Sequence, residues 1–282
     1  MTNNNPPREG IELAKLDAWI DEILADPITK SPTTREHFPK TDGIIDARVY
    51  LKNTFGFNEW ESGQSAFEVW ESNGDGYDSD VNRYRSEIEY DRPIYERFQM
   101  AGRILDIGGL TGTVREFLQD ESRYLSIDPF IQAITRVPPS KVEAYECLSR
   151  PLNFIGAMSE FLPFVESSFD WVHMRSMLDH VQVPDLSLKE AHRVLRKDGK
   201  VLIGMSIEGG RDGKRRIKEI SRDLAKLLLS TVGLTQYKDH HTWHPTLKNL
   251  SKLITENGFF IEDVYWQPHW KDRVVYIQGK KK

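Results

Sequence analysis

The chain has almost no cysteine. Cys147 is the only one among its 282 residues, so the sequence offers neither a disulfide framework nor a cysteine zinc site. Long apolar runs are also missing, because no stretch approaches the roughly 18 residues that a membrane-spanning helix needs. The opening Met-Thr-Asn-Asn-Asn-Pro-Pro lacks the apolar core of a signal peptide. We therefore expect a cytoplasmic protein with no membrane partner.

An excess of positive charge is missing too. Lysine and arginine number 38 against 43 acidic residues, which gives a formal net charge of −5. Without a global positive field, a nucleic-acid partner is not expected. The length is sufficient for one large core and a smaller second unit. Composition and length together favour a globular enzyme.

The most informative stretch is a glycine-rich turn between a predicted strand and a predicted helix. The apolar pair Ile104 and Leu105 ends in Asp106, and three glycines follow, namely Gly108, Gly109 and Gly112. Such a turn presents backbone N–H groups to a ligand, and glycine lets that ligand approach the main chain. A carboxylate here would repel a pyrophosphate, so Asp106 suits a cationic ligand. The alternative is an ordinary turn between a strand and a helix.

A second predicted strand, 123–128, also ends in an acid. Asp128 lies 22 residues after Asp106, near the spacing of about 20 at which an acid meets a ribose hydroxyl in nucleotide-binding α/β folds. A carboxylate can accept hydrogen bonds from both ribose hydroxyls. The alternative is a solvated loop acid.

A third stretch, 160–203, reads as a strand, a helix and a further strand. Leu188, Ala191 and Leu195 fall on one face of the predicted helix. Gly199 can adopt the left-handed conformation that often follows the last turn of a helix. Residues 201–203 then form a short buried strand.

These three stretches resemble class I S-adenosylmethionine (SAM) methyltransferases. The first motif of that family, D-x-G-x-G-x-G, is matched by Asp106, Gly108 and Gly112, with Leu110 at the middle position, which is usually small. Residues 160–181 resemble the family pattern LPF…SFD…L-x-H-V, and 194–203 resemble RVLKPGGxLLI, with Asp198 where proline is common. The resemblance implies an α/β fold with a Rossmann-like seven-stranded sheet and SAM as the cofactor.

The resemblance also implies a set of cofactor contacts. Met158 occupies the position at which the family often has an acid for the adenine amino group. The residues expected to bind SAM, or S-adenosylhomocysteine as product, are Asp106, Gly108, Gly109, Gly112, Asp128, Pro129, Phe130, Met158, Ser159, Glu160 and Arg175.

The N-terminal region suggests an appendage. Apolar residues at helical spacing predict an amphipathic helix from Leu13 to Leu24. Residues 24–45 resemble the zinc-ribbon-like tRNA-methyltransferase activator, but Asp26 stands at a ligand cysteine, so the metal site is lost. Packing must then replace the metal's folding energy, and the expected small core is Trp19, Ile23, Ile28 and Ile44. An unrelated α/β appendage is the alternative.

The remaining regions complete the division of the chain. We expect an appendage at 1–50, an aromatic-rich helical lid at 51–95, with Trp70, Tyr77 and Tyr84 among its aromatics, and the methyltransferase domain at 96–282. Within that domain, apolar residues at helical spacing predict a helix with Ile217, Ile220, Leu224, Leu227 and Leu228 on one face. A helix after the fifth strand can cap the active site. A helix from Leu247 to Glu256 and two final strands, 259–266 and 273–277, resemble the antiparallel end of the family's sheet.

The predicted function is methyl transfer from SAM to a small-molecule acceptor, with a sugar or natural-product intermediate favoured and a hydroxyl or an amine methylated. A hydroxyl acceptor needs a base. His180 is the first candidate, because it follows the fourth strand at the edge where ligands bind, and His241 and Asp179 come next. The sequence leaves open whether the protein forms a homodimer.

Three alternatives accompany this prediction. Leu110 and Met158 are compatible with a non-catalytic binding or scaffold protein on a decayed methyltransferase fold. An RNA or protein methyltransferase is suggested by the activator-like N-terminus. His240, His241 and His244 could hold a metal or line the acceptor site. We expect no metal, since no acid or fourth ligand at a clear spacing accompanies them.

Overall fold

The structure is a computed structural model, and it describes residues 14–53, 57–73, 80–214, 241–268 and 272–282, with positions 217, 220, 221, 224 and 225. Its strands in chain order are β1 (Lys40–Thr41), β2 (Ile44–Ile45), β3 (Arg103–Ile107), β4 (Arg123–Asp128), β5 (Phe154–Gly156), β6 (Phe169–Arg175), β7 (Leu195–Ser206), β8 (Phe259–Gln267) and β9 (Val274–Lys281). Its helices are α1 (Phe57–Asn73), α2 (Val81–Phe98), α3 (Ile131–Thr135), α4 (Pro139–Ala144), α5 (Pro184–Val194) and α6 (Leu247–Glu256).

Seven of these strands form one sheet in the order β5-β4-β3-β6-β7-β9-β8. The first five in this order are parallel, and β9 runs antiparallel to both β7 and β8. The central strands are buried on both faces, as expected for apolar parallel strands covered by helices. The expected Rossmann-like seven-stranded α/β fold is confirmed.

The helix before β7 is α5, which covers one face of the sheet. Pro184 stands in its first turn, where the missing N–H costs no hydrogen bond. Leu188, Ala191 and Val194 are buried on one side of it. The prediction of a left-handed Gly199 after this helix was wrong, because Asp198 has the positive φ, 62°, in the bend within β7.

The N-terminal amphipathic helix was also a wrong prediction. Among the described residues 14–24, only Ala18–Ile20 are helical, in a single 3-10 turn. The backbone pairs with distant segments instead, because Lys15 N–H donates to the Leu152 carbonyl at 2.9 Å and Val165 N–H donates to the Ile23 carbonyl at 2.8 Å. These hydrogen bonds replace those that a helix would make within itself. Leu13 lies outside the described residues.

The expected separate N-terminal core is wrong as well. Ile28 is 59% exposed, and Ile44 packs with α2 and the opposite face of the sheet. Trp19 and Ile23 join the main cluster of the sheet, together with Leu105 and Val172. The described part of the N-terminal segment, from residue 14 onward, therefore extends the central core.

The last helix and strands follow the prediction closely. α6 spans the predicted residues, and Thr246 caps its first turn by accepting a hydrogen bond from Asn249 N–H at 3.2 Å. The helix expected at 217–228 is described only in part. Ile217, Ile220 and Leu224 are helical and exposed, whereas Leu227 and Leu228 lie outside the described residues.

Candidate active site

A cleft of about 940 Å³ opens where β3, β4 and β6 end. The carboxyl ends of parallel strands share one edge of a sheet, which is where ligands bind in open α/β folds. Most of the residues expected to bind the cofactor line this first cleft, namely Gly108, Asp128, Pro129, Phe130, Met158, Ser159, Glu160 and Arg175.

A second cleft of about 810 Å³ lies on the other side of the glycine turn. Gly108, Leu110 and Arg175 line both clefts, so the two are neighbours on either side of the turn, and together they are called the groove. The first part has mostly apolar walls. The second contains charged side chains from α2 and α4, among them Arg83 and Lys141. The groove is therefore apolar at one end and charged at the other.

The glycine turn is tight, and its backbone adopts positive φ angles, which favour glycine. Gly108 has φ +76°, and even Leu110, at the position usually small in methyltransferases, has φ +39°. A Cβ at Gly109 would lie 2.5 Å from the Asp106 carboxylate. Gly112 lines neither cleft. It precedes a short 3-10 helix, Thr113–Phe117, where the sequence predicted a longer helix.

Asp106 is held by protein groups on both oxygens. Tyr124 Oη donates to Oδ2 at 2.5 Å, and His173 Nδ1 lies 2.7 Å from Oδ1. Burial raises the pKa of Tyr124 well above its usual range, and the neighbouring Asp106 raises it further. The phenol therefore stays protonated and donates a hydrogen bond to Asp106. Tyr95 Oη lies 3.3 Å from the other His173 nitrogen.

This chain of groups refines the expectation for Asp106. The residue lines the second cleft, but it is 3% exposed and its carboxylate fixes the base of the glycine turn. The contact of His173 with Asp106 was not anticipated from the sequence. The register between β3 and β6 sets that contact, because Asp106 pairs with His173 across the two strands.

Asp128 ends β4 at the wall of the first cleft. Its Oδ1 accepts a hydrogen bond from Phe130 N–H at 2.9 Å, which fixes the carboxylate. The side chain is buried at 4% exposure. Since the residue also lines the cleft, it can offer hydrogen-bond acceptors to a ligand there.

Glu160 connects the two loops that border the first cleft. Its Oε1 accepts hydrogen bonds from Gln182 N–H at 2.9 Å and Val183 N–H at 3.2 Å, and Ser159 Oγ donates to Oε2 at 3.0 Å. Burial raises the pKa of Glu160 above its usual value, although these hydrogen bonds oppose the change. The carboxyl group thus holds the segment after β6 against the segment after β5.

Arg175 is the last residue of β6 and lies at the junction of the two clefts. Its guanidinium forms a two-pronged ion pair with Asp91 of α2, whose carboxylate also accepts a hydrogen bond from Gln267 Nε2 at 3.2 Å. A forked pair of this kind fixes the orientation of the guanidinium. α2 is thereby attached to the strand end at the junction.

The three residues expected to act in catalysis lie together. His180 lines the first cleft. Its Nε2 is 3.9 Å from Asp179 Oδ1, and His241 Nε2 is 3.6 Å from Asp179 Oδ2. The His180 and His241 rings are 4.5 Å apart between centroids. His240 lies outside the described residues.

α1 covers the first cleft beside His180. Trp60, Gln64 and Phe67 of this helix line the cleft. Trp60 Nε1 donates to the His180 carbonyl at 2.7 Å, and the Phe67 ring lies 6.1 Å from the His180 ring. The expected aromatic lid thus has its contacts in α1. Tyr77 and the Trp70 side chain lie outside the described residues, and Tyr84 packs on Tyr145, away from the first cleft.

The strands and loops that build the groove have a recognisable sequence pattern. Residues 105–203 match the model of a family described as methyltransferase domain. The match covers 99 of the 282 residues. Together with the seven-stranded sheet, it supports the class I methyltransferase fold that the sequence predicts.

Curated relatives align with this domain over part of their length. The uncharacterized protein MJ1123 of Methanocaldococcus jannaschii is 30% identical over 46% of this chain and 55% of its own length. The ubiquinone/menaquinone biosynthesis C-methyltransferase UbiE of Agrobacterium fabrum is 32% identical over 36% of this chain and 40% of its own. The chain thus spans about half the length of these relatives.

Solved structures share the fold at low identity. The 1,6-didemethyltoxoflavin-N1-methyltransferase of Burkholderia thailandensis, solved with its substrate and S-adenosylhomocysteine, has a TM-score of 0.52 at 17% identity and covers 85% of this chain and 94% of its own. A putative methyltransferase in complex with the Trm112 activator of Haloferax volcanii has a TM-score of 0.51 at 12% identity, covering 76% of this chain and 97% of its own.

Within the part of the chain that the structure describes, no helix has both the length and the apolar character needed to cross a membrane.

Proposed function

We propose that the protein transfers a methyl group from SAM to a small-molecule acceptor. The observation that carries this proposal is the groove around the glycine turn, which is apolar on one side of Gly108 and charged on the other. SAM has the same two characters, since its adenosine is largely apolar and its methionine end carries an ammonium and a carboxylate. When bound, the cofactor supplies an electrophilic methyl group.

The residues of the first cleft fit the adenosine. Asp128 would hold the ribose hydroxyls, because its carboxylate is fixed at the wall of the cleft and has acceptor capacity beyond the Phe130 N–H. Met158 and Phe130 offer apolar walls for a planar base. In the second cleft, Arg83 and Lys141 offer positive charge to the methionine carboxylate.

The acceptor would enter beside α1. Trp60, Phe67 and His180 give that side of the first cleft an aromatic wall, which suits a compact ring compound. A small-molecule acceptor is also consistent with the relatives named for quinone biosynthesis and with the toxoflavin methyltransferase. His180 would contact the acceptor, with Asp179 and His241 as its immediate partners.

Calorimetric titration with S-adenosylhomocysteine tests the cofactor site. Asp128→Ala should weaken binding by about 1–3 kcal/mol, the cost of losing hydrogen bonds to a charged group. Asp120→Ala is the matched control, because Asp120 is exposed and lies away from the groove, and it should bind like the natural chain. An unchanged dissociation constant in Asp128→Ala would show that the ribose is held elsewhere.

The same titration separates the enzyme from its alternatives. If the natural chain gives neither heat nor a thermal shift with SAM up to millimolar concentration, methyl transfer is ruled out and the scaffold alternative is favoured. If SAM binds, incubation with labelled SAM and a panel of small ring compounds, RNA and protein shows which class of acceptor takes up the label.

A further inference from the structure

Asp179, His180 and His241 bring three potential metal ligands together. One carboxylate oxygen and one ring nitrogen from each histidine all lie within 4.8 Å of one another. Ligand atoms bind a transition ion at about 2 Å, so two of them on one ion lie at most about 4 Å apart. His180 Nε2 meets this limit with Asp179 Oδ1 at 3.9 Å, and His241 Nε2 meets it with the other oxygen, Oδ2, at 3.6 Å. Binding one ion therefore requires the three side chains to draw together from separations of at most 4.8 Å.

The fold itself holds these ligands in place. Asp179 and His180 follow β6, whereas His241 comes from the segment before α6. Thr242 connects the two segments, because its N–H and Oγ1 both donate to the Asp179 carbonyl, at 2.7 and 2.9 Å. Trp243 Nε1 donates to the Leu178 carbonyl at 3.0 Å. The two segments that carry the ligands are therefore held together by three hydrogen bonds that do not involve the ligand side chains.

One oxygen of Asp179 lacks a hydrogen-bond partner. The residue is 7% exposed. In the part of the chain that the structure describes, its Oδ1 is one of the buried side-chain atoms that have no hydrogen-bond partner. A buried polar atom without a partner is destabilising, and more so when it is charged. A cation between this oxygen and the imidazoles would satisfy it.

We propose that Asp179, His180 and His241 bind a divalent transition-metal ion of the zinc type. Two imidazole nitrogens and one carboxylate oxygen suit ions such as Zn²⁺ or Fe²⁺, and sites with three protein ligands keep a coordination position open. In the sequence, no acid accompanies the histidines at a clear spacing, and for that reason no metal was expected. The fold supplies that acid from a distant part of the chain.

The open position would face the groove, because His180 is both a ligand and a wall of the first cleft. An oxygen or nitrogen of the acceptor could then bind the ion directly. This role rests on the proposed function, whereas metal binding itself does not. The two are therefore measured separately, metal binding without any cofactor and S-adenosylhomocysteine binding by calorimetry.

Cobalt is the probe, since Co²⁺ replaces Zn²⁺ and its visible absorption reports nitrogen and oxygen ligands. The full chain, without an affinity tag and stripped with a chelator, should bind one equivalent of Co²⁺, which Zn²⁺ displaces. Asp179→Asn and His241→Ala should weaken binding by about 100-fold or more, at least as much as the loss of an outer partner does. His37→Ala, an exposed histidine near the N-terminus, should bind like the natural chain.

Two outcomes would overturn the proposal. No binding by the natural chain up to about 1 mM Co²⁺ would show that the cluster is not a metal site. Binding that both variants retain at full strength would place the ion elsewhere. Circular dichroism shows whether each variant folds. The His241 side chain is 40% exposed, so His241→Ala is a change at the surface. If Asp179→Asn does not fold, His241→Ala alone still tests the proposal.

Discussion

Single residues at the base of the glycine turn determine its shape. The Asp106 carboxylate lies beneath Gly109 and accepts from Tyr124, while His173 contacts its other oxygen. All three are buried. Buried charged groups are stabilising only when every partner is present. The turn that divides the groove therefore depends on these three buried side chains.

Tyr124→Phe tests this dependence. The substitution keeps the ring and removes the hydroxyl, which leaves Asp106 Oδ2 without its donor in a buried position. The free energy of unfolding should fall by about 1–3 kcal/mol, measured by urea denaturation. Tyr265→Phe removes the hydroxyl of a partly exposed tyrosine and should change little. Equal stability of the two variants would show that Asp106 does not depend on this hydrogen bond.

At the scale of elements, an ion-pair cluster attaches the N-terminal segment to α5. Lys30 Nζ lies 2.5 Å from Glu190 Oε2, and Arg193 Nε lies 2.7 Å from Oε1. The Leu162 N–H also donates to Oε2, at 2.9 Å. Burial alone would raise the pKa of Glu190, but hydrogen bonds from Arg193 and Lys30 outweigh it and lower that pKa.

Glu190→Gln should therefore destabilise the protein in a pH-dependent way. A lowered folded pKa means that the carboxylate contributes stability above its unfolded pKa of about 4.3, and this contribution is lost as the pH falls through the folded pKa. We expect a loss of about 1.5–3 kcal/mol at pH 7 that shrinks below about pH 4, measured by denaturation across this range. Glu89→Gln, at an exposed pair that solvent screens, should show a much smaller dependence.

Elements with a strong local signal were predictable from the sequence, and contacts between elements were not. The apolar runs of β3 and β4 and the glycine turn identified the strands and the edge where the groove lies. The contact of Asp106 with His173 depends on strand register, and that of Asp179 with His241 depends on a turn far along the chain. Neither leaves a periodic pattern in the sequence.

The N-terminal helix failed for a related reason. Trp19, Ile20, Ile23 and Leu24 have helical spacing. This spacing indicates which side chains are buried, but it does not indicate which groups form hydrogen bonds with their backbone. Here the hydrogen bonds go to the segments around Leu152 and Pro163. Tertiary contacts thus overrode the local preference, although the burial of these side chains was predicted correctly.

At the scale of the whole molecule, the N-terminal segment and the sheet share one core. Ile20, Ile23 and Leu24 are at most 3% exposed and belong to the same cluster as β3, β6 and α5. A separate zinc-ribbon-like domain would unfold on its own. A shared core predicts instead that the N-terminal segment and the groove unfold together, in one cooperative transition.

Leu24→Ala and Ile28→Ala distinguish these two behaviours. Leu24 is 1% exposed within the shared core, so its truncation should cost about 2–5 kcal/mol and move the whole transition, as followed by far-ultraviolet circular dichroism, tryptophan fluorescence and retained S-adenosylhomocysteine binding. Ile28, four positions later and 59% exposed, should have almost no effect. If Leu24→Ala instead produced a second, earlier transition while the groove still bound its ligand, the N-terminal segment would be an independent domain. Coincident transitions in all three measurements would show that the N-terminal segment is part of the fold that positions the site.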